Sequence, residues 1–299
     1  MIVKRIGIFY HSGTGGTRTV AEALAGVLSA RHEVGVHDIH HADCREPSRW
    51  HLLVFGYPTF FLRSTPSMDE YVASMPPLAE DTPAFVFTTA ALYAENSARR
   101  FCLGLEKKGI RPIGAVDIRS PASDGTLTSP PLFAPSLYSF EKRAARKILK
   151  AASIISTELD SAPDTVSRRR RIPPAKWYTP FVLLPQLLLF NGFIKMKDRL
   201  RASPDRCVRC GRCARGCPRK AWTIDGGLPR HDGQRCELCL RCVHHCPRKA
   251  IGWDEKMMDR TRLTEELHRL KKEELRARIE QAALHGRGRL HRSQRLAAR

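Results

Sequence analysis

Long apolar runs are scarce in this 299-residue chain, and so is cysteine outside one short region. The start, MIVKRIGIFYHSG, has neither the extended apolar core nor the small-residue cleavage site of a secretory leader, and it reads as a first strand. The most apolar stretch, Phe181 to Ile194, is 14 residues long and is broken by Pro185, Gln186, Asn191 and Gly192. As a helix it would reach roughly 21 Å against a ~30 Å hydrocarbon core, so no transmembrane helix is expected. No Gly-Lys-Ser/Thr ending marks a Walker loop, and Arg18 stands where the last glycine of G-x-G-x-x-G would fall. The sequence shows no acid–base dyad, nucleophile constellation or nicotinamide fingerprint, which argues against direct hydride transfer from a nicotinamide.

Eight of the ten cysteines lie between Arg206 and Ile251, leaving Cys44 and Cys102 as ordinary thiols. The stretch CVRCGRCARGCPRKAW is followed, 29 residues on, by CELCLRCVHHCPRKAI. Cys207, Cys210, Cys213 and Cys217 map by that offset onto Cys236, Cys239, Cys242 and Cys246, and each copy ends in CPRKA. Zinc would use two C-x2-C pairs and leave the third, evenly spaced cysteine without a role. Disulfides would need an oxidising compartment, for which the sequence gives no sign. The repeated C-x2-C-x2-C-x3-C-P resembles the bacterial two-cluster ferredoxin pattern, in which three thiolates of each cubane come from one repeat and the fourth from the other. One 4Fe–4S cluster is therefore assigned to Cys207, Cys210, Cys213 and Cys246, and the second to Cys236, Cys239, Cys242 and Cys217. Exposed clusters and free thiols together suit a reducing cytoplasm.

Charge divides the chain. Residues 1 to 140 carry 13 basic and 13 acidic side chains, so the whole net charge of +21 falls on residues 141 to 299. That half is expected to seek something acidic: a redox partner protein, an anionic membrane surface or nucleic acid. Nucleic acid is the weakest of the three, because a binding surface for it would interleave aromatics with the basic residues and the cluster region offers little beyond Trp222.

In the first half, apolar β-branched runs recur at 2–9, 33–38, 51–56, 83–88 and 112–118, with helical patterns between them near 19–28, 66–74, 94–108 and 136–159. The alternation predicts a doubly wound parallel sheet of five strands, with any ligand outside the carboxyl ends of the strands. The loop Ser12-Gly13-Thr14-Gly15-Gly16-Thr17 falls between the first strand and a helix start, where freed amides, the helix dipole and hydroxyls converge on one phosphate. It resembles the flavodoxin phosphate loop at every defined position.

A flavodoxin-like domain followed by a two-cluster ferredoxin resembles the flavodoxin–ferredoxin fusion proteins, called ferrodoxins in some annotations. The segment GYPTFFLRSTPSMDEYVASMP looks like that group's second loop and helix, whereas SPASDGTLTSPP lacks the asparagine associated with that place in the group. The resemblance implies FMN in the first domain and electron transfer as the activity. It places the flavin phosphate on residues 12–17 and its ring among Tyr57, Pro58, Thr59, Thr89, Ala90 and Tyr93, with Tyr57 and Tyr93 stacking on the ring faces. The expected organisation is a flavodoxin-like α/β domain at 1–160, a basic and apolar strap at 161–200, a small α+β two-cluster ferredoxin domain at 201–253, and a basic helix and tail at 254–299. Helix signals start at Thr264 and end at Gly286, with a stripe of Leu263, Leu267, Leu270 and Ile279 and a disordered basic end beyond.

Residues 181–194 read as an apolar strap packed between the domains or into a groove of the first. A second reading places residues 177–199 at an anionic membrane interface, since Trp177, Tyr178 and basic flanks on both sides suit it. Function reads as an electron carrier joining a flavin to two clusters. The competing classes are a flavin-dependent reductase with a ferredoxin input module, and a basic nucleic-acid-binding protein with structural clusters.

Overall fold

The computed structural model describes residues 3–41, 47–60, 62–79, 81–91, 94–128, 137–161, 170–179, 181 and 195–297, with 285–297 as backbone. Five parallel strands form one sheet in the order β2-β1-β3-β4-β5: β1 (Arg5–Tyr10), β2 (Glu33–Asp38), β3 (Leu52–Pro58), β4 (Thr82–Ala90) and β5 (Ile110–Arg119). This is the flavodoxin-like order, with its switch point between β1 and β3. Parallel strands need crossovers, and α1 (Gly16–Leu28), α2 (Pro66–Ser74), α3 (Ser97–Glu106) and α5 (Ala144–Asp160) cover both faces. Ile6, Ile8 and Tyr10 face α1 and α5 in one buried core, while Phe9, Phe55 and Tyr57 face α2 and α3 in the other. The period-2 alternation of β1 thus serves two cores at once. A short helix, α4 (Gly125–Thr128), follows β5.

The strand runs expected from the sequence are present with ends shifted by at most three residues, and α2 matches its expected span. Thr65 caps α2 by accepting from the Met68 amide at 3.3 Å, with Pro66 at the first helical position. Residues 171–179 run along the outer edge of β5. The Arg171 amide donates to the Pro112 carbonyl at 2.8 Å, and Lys176 pairs with Asp117 at 2.8 Å. This closes an edge that would otherwise be open to another strand. The apolar run 182–194, including its expected packing, lies outside the described residues. Among the described residues no helix is long and apolar enough to cross a membrane.

The second domain is small. β6 (Arg201–Ala202) pairs antiparallel with β9 (Ile251–Gly252), and β7 (Trp222–Asp225) with β8 (Leu228–His231). Two single-turn helices, α6 (Arg212–Arg215) and α7 (Arg241–His244), sit at equivalent places in the two repeats. Backbone conformation repeats with the sequence. Arg209 and Leu238, Gly211 and Leu240, and Lys220 and Lys249 all have φ between 50° and 69°, each pair 29 residues apart. Non-glycine residues adopt that region at a cost of order 1 kcal/mol, so four or more of them at matched positions mark a shape imposed by what the loops wrap.

After α8 (Glu255–Asp259), the long α9 (Glu265–Ala297) turns back onto the first domain. Thr264 caps it, accepting from the Leu267 amide at 3.2 Å. Two expectations are corrected here. The helix does not stop at Gly286, because the helix-favouring residues on either side carry the backbone through it to Ala297. The buried stripe is Leu263, Leu275 and Ile279, with Leu270 half exposed, because α9 is seated against α1 and α5 and that seat selects the face.

Candidate functional site

The cysteines gather into two groups, each around its own cavity. One cavity is lined by Cys207, Cys210 and Cys213 of the first repeat together with Cys246 of the second. The other is lined by Cys236, Cys239 and Cys242 of the second repeat together with Cys217 of the first. All eight are free thiols. The first cavity is nearer solvent, with Cys210 exposed, whereas Cys239 is buried. Burial pushes the Cys236 thiol up to about 11 and raises Cys239 and Cys242 as well. A metal taking these sulfurs as thiolates displaces the protons.

Amides aim at the sulfurs in the same pattern in both halves. The Ala221 amide donates to Cys217 Sγ at 3.3 Å and the Ala250 amide to Cys246 Sγ at 3.2 Å, again 29 residues apart. Leu238 adds a third such bond, to Cys236 at 3.3 Å. The left-handed residues turn the chain so that these donors face inward. Donors of this kind stabilise the more negative, reduced form of an iron–sulfur centre. The second cavity also has Arg219 and Arg241 in its wall, and the first has Arg212 and Arg248.

The second cavity is pressed against the first domain at the β1/β3 switch point. A Cβ on Gly13 would stand 2.4 Å from the Cys239 carbonyl oxygen, so glycine is what allows the two backbones to approach. Arg241 Nε donates to the Gly13 carbonyl at 3.2 Å, and its guanidinium lies 3.6 Å from Asp38. Glu237 Oε2 accepts from the Ser67 amide at 3.2 Å and from Ser67 Oγ at 2.7 Å. Arg219 reaches Glu70. His244 ties three segments together: Nε2–H donates to the Ser123 carbonyl at 2.8 Å, and Nδ1 accepts from the Leu263 amide at 3.0 Å. Burial holds this imidazole neutral, pushed down to about 3. Leu127, on α4, packs into the core of the cysteine domain.

The residues expected to hold a flavin fall into two groups. Ser12, Thr14 and Thr17 are buried, and the Gly15 N-cap of α1 lies in the left-handed region with no side-chain cap, which leaves helix amides facing the loop. The Gly15 amide donates to Ser12 Oγ at 3.1 Å. A cavity of about 350 Å³ opens beside residues 12–15, walled by Arg18, Arg241, His268, Arg269 and Lys272 on the basic side and by Glu22, Asp38 and Glu265 on the acidic side. The loop amides and hydroxyls fit a phosphate, while Arg18 and Lys272 are paired with Glu22 and Arg241 with Asp38. The ring end is different. Tyr57 is fully buried, 4.8 Å from the Phe101 ring and with its hydroxyl 3.4 Å from Ser97 Oγ. It does not face a ligand, because its alternation in β3 points it into the α2/α3 core. Thr89 Oγ1 is engaged with Thr17 Oγ1 at 2.8 Å, and the Thr59 amide with the Thr89 carbonyl at 2.7 Å. Pro58 and Ala90 are half-buried at the strand ends, and Thr59 Oγ1 is buried without a hydrogen-bond partner. Tyr93 lies outside the described residues.

The docking residues His11, His40, Glu237 and His244 were not singled out from sequence. A signal existed in the mismatches between the repeats. Glu237 stands where the first repeat has Val208, Leu238 for Arg209, Leu240 for Gly211, and Val243-His244 for Ala214-Arg215. The second copy has buried or half-buried residues at these positions, where the first has exposed or half-buried ones. Val208 is 57% exposed, whereas Glu237 is 9% exposed.

The model of a 4Fe-4S dicluster domain matches residues 199–247. None of the curated proteins compared with the chain matches it. Among solved structures the chain is similar to oxidised flavodoxin 1 from Bacillus cereus, at 14% identity over 52% of this chain and 99% of that one, with a TM-score of 0.40. It is also similar to a flavodoxin from the domain Archaea (14% identity, 51% and 99% covered, TM-score 0.36). An NADH:FMN oxidoreductase in its apo form gives 17% identity, 55% and 94% covered, and a TM-score of 0.38. The fold assignment of the first half rests on its own sheet order and strand register.

Proposed function

We propose that this chain, a flavodoxin-like domain joined to a 4Fe–4S dicluster domain, is an electron-transfer protein that passes electrons between its cofactors and an external acidic partner. The carrying observation is the pair of cavities, each lined by four cysteines drawn three and one from the two repeats. Cys207, Cys210, Cys213 and Cys246 would hold one cubane, and Cys236, Cys239, Cys242 and Cys217 the other. Such clusters supply one-electron transfer. The protein's own part is to hold the sulfurs, direct amides at them, and shield the second site under the first domain. Crossed ligation also makes each repeat depend on the other for a complete site.

FMN is the flavin this reading assigns to the first domain, with its phosphate on Ser12 to Thr17 and the α1 N-terminus. When bound it would supply exchange between two-electron and one-electron carriers. Joining both carriers in one chain replaces a diffusional encounter by a high effective concentration. The aromatic knuckle Trp177, Tyr178 and Phe181 belongs to the same proposal as a contact with an anionic lipid surface. Trp177 is 82% exposed and Phe181 73%, with rings 6.4 Å apart, and Lys195, Lys197 and Arg199 follow in the chain.

Anaerobic purification with iron, sulfide and flavin analysis tests the reading. About eight irons and one FMN per chain are expected, with a paramagnetic signal after dithionite. A colourless protein carrying zinc in the cysteine sites, silent after dithionite, would refute it.

A further inference from the structure

At the seam between the two domains three metal-ligating side chains meet in the interior. His11, at the end of β1, is fully buried; His40, just past β2, is half-buried; and Glu237 comes from the second cysteine repeat. One donor atom from each lies within 4.8 Å of the other two. His11 Nδ1 is 2.7 Å from His40 Nε2, and His11 Nε2 is 3.3 Å from Glu237 Oε1. Glu237 is already fixed, since its Oε2 takes both bonds from Ser67. Its Oε1 and His11 Nε2 are buried and have no hydrogen-bond partner. Two unsatisfied polar atoms facing each other at that depth are costly unless something between them completes their bonding.

We propose that His11, His40 and Glu237 form a binding site for a divalent transition-metal ion of the zinc class, which staples the cysteine domain to the sheet domain. Two imidazoles and one carboxylate are a zinc donor set, with the fourth place left for water. A tetrahedral ion at ~2.0–2.1 Å from its donors sets neighbouring donors roughly 3.3 Å apart, the separation seen between His11 and Glu237. The 2.7 Å His11–His40 contact is made by the other His11 nitrogen, Nδ1, so an ion held at Nε2 takes its His40 nitrogen from within the 4.8 Å spread of the three donors by a turn of the His40 ring. The nearby guanidinium groups do not forbid a cation, because Arg241 is matched by Asp38 and Arg219 by Glu70. Two ligands come from the first domain and one from the second, so the ion binds the docked arrangement and stabilises it by mass action.

This inference does not depend on the electron-transfer reading, and its test is separable from it. The full-length, anaerobically prepared chain is titrated with cobalt(II). In the cluster-loaded, oxidised chain, whose cubanes are diamagnetic, a high-spin cobalt(II) paramagnetic signal reports the ion at nitrogen and oxygen donors, whereas cobalt taken by cysteines free of clusters would add sulfur-to-cobalt charge transfer. The expected result is about one such cobalt per chain, displaced by zinc, with affinity lowered at least about tenfold in both His40→Ala and Glu237→Gln. Iron content and circular dichroism of the variants report whether each is folded, and either folded variant is sufficient. Absence of a nitrogen/oxygen cobalt spectrum in the wild-type chain would overturn the proposal, as would equal uptake by wild type and variant. The triad would then be a hydrogen-bonded junction only.

Discussion

Alanine at Gly13 is the smallest change that separates the two domains without touching a cysteine. The added methyl would lie 2.4 Å from the Cys239 carbonyl oxygen and 3.2 Å from its Cβ, where ordinary contact begins near 3.4 Å. Both partners are backbone or the root of a side chain, so no rotamer change relieves the clash. The loop after β1 and the second cysteine loop must part by about 1 Å. That opening weakens the Arg241 bonds to Gly13 and Asp38 and spreads His11 from Glu237. Overpacking of this kind costs about 1–3 kcal/mol, a shift of roughly 5- to 150-fold in the docked equilibrium. Hydrogen exchange reads the outcome directly, as faster exchange in residues 12–17 and in α7 with the strands β3 and β4 unchanged. Gly26 is the control. A Cβ there, in the exposed interior of α1, meets nothing within 4 Å, so Gly26→Ala should stabilise by about 0.5–1 kcal/mol. If Gly13→Ala left both exchange and the unfolding midpoint where they were, the close approach at the switch point would not exist in solution.

Three further outcomes are expected. Cys217→Ser should disturb the centre built on Cys236, Cys239 and Cys242 and spare the one on the rest of the first repeat, as read by electron paramagnetic resonance after dithionite; damage to the first-repeat centre instead would sink crossed ligation. Burial pushes His268 down to about 4, against about 6.5 in an unfolded chain. Above pH 6.5 both states are neutral and its contribution is complete; between about 6.5 and 4 only the unfolded state takes the proton, so up to about 3 kcal/mol is lost as pH falls. His268→Phe should flatten that limb of the urea-midpoint profile, and an unaltered limb would exclude His268 as its source. Vesicles rich in anionic lipid should shift Trp177 emission to the blue, an effect reversed by salt and lost in Trp177→Ala; neutral vesicles acting equally well would remove the electrostatic part of the reading.

Much of the fold could be read from the chain because its signals are local. The strand runs, the strand–loop–helix setting of Ser12 to Thr17 and the Thr65-Pro66 start of α2 each depend on neighbours in sequence. The cysteine groups were legible for a different reason, since a repeat with a fixed offset states the pairing twice. Tyr57 was misread as a ring-facing residue because the sequence places it at a strand end but does not say which face of β3 it occupies. The end of α9 was misread because Gly286 is only a weak stop signal when strong helix formers surround it. What could not be read was the seam. Glu237 meets Ser67 across 170 residues and Arg241 meets Gly13 across 228, and no periodicity within either domain encodes such contacts.

The seam also constrains how the two halves can work together. In an open α/β sheet the crevice beyond the strand ends is where a ligand binds, and here the second cysteine loop lies over it. The same loop carries Glu237 and Arg241, which hold the sheet domain, and Cys236, Cys239 and Cys242, which line the buried cavity. Any movement that opens the crevice must therefore move three of the four sulfurs around that cavity, while the cavity of Cys207, Cys210, Cys213 and Cys246 keeps its face to solvent. The two cavities are accordingly unequal. The inner one is sheltered, is flanked by arginines already paired to Asp38 and Glu70, and is coupled to the first domain. The outer one, with Cys210 exposed and Arg212 and Arg248 in its wall, is the face an acidic partner would meet. Charge steering should act on association at that outer face and leave transfer across the seam insensitive to salt, because the inner contacts are buried and already matched.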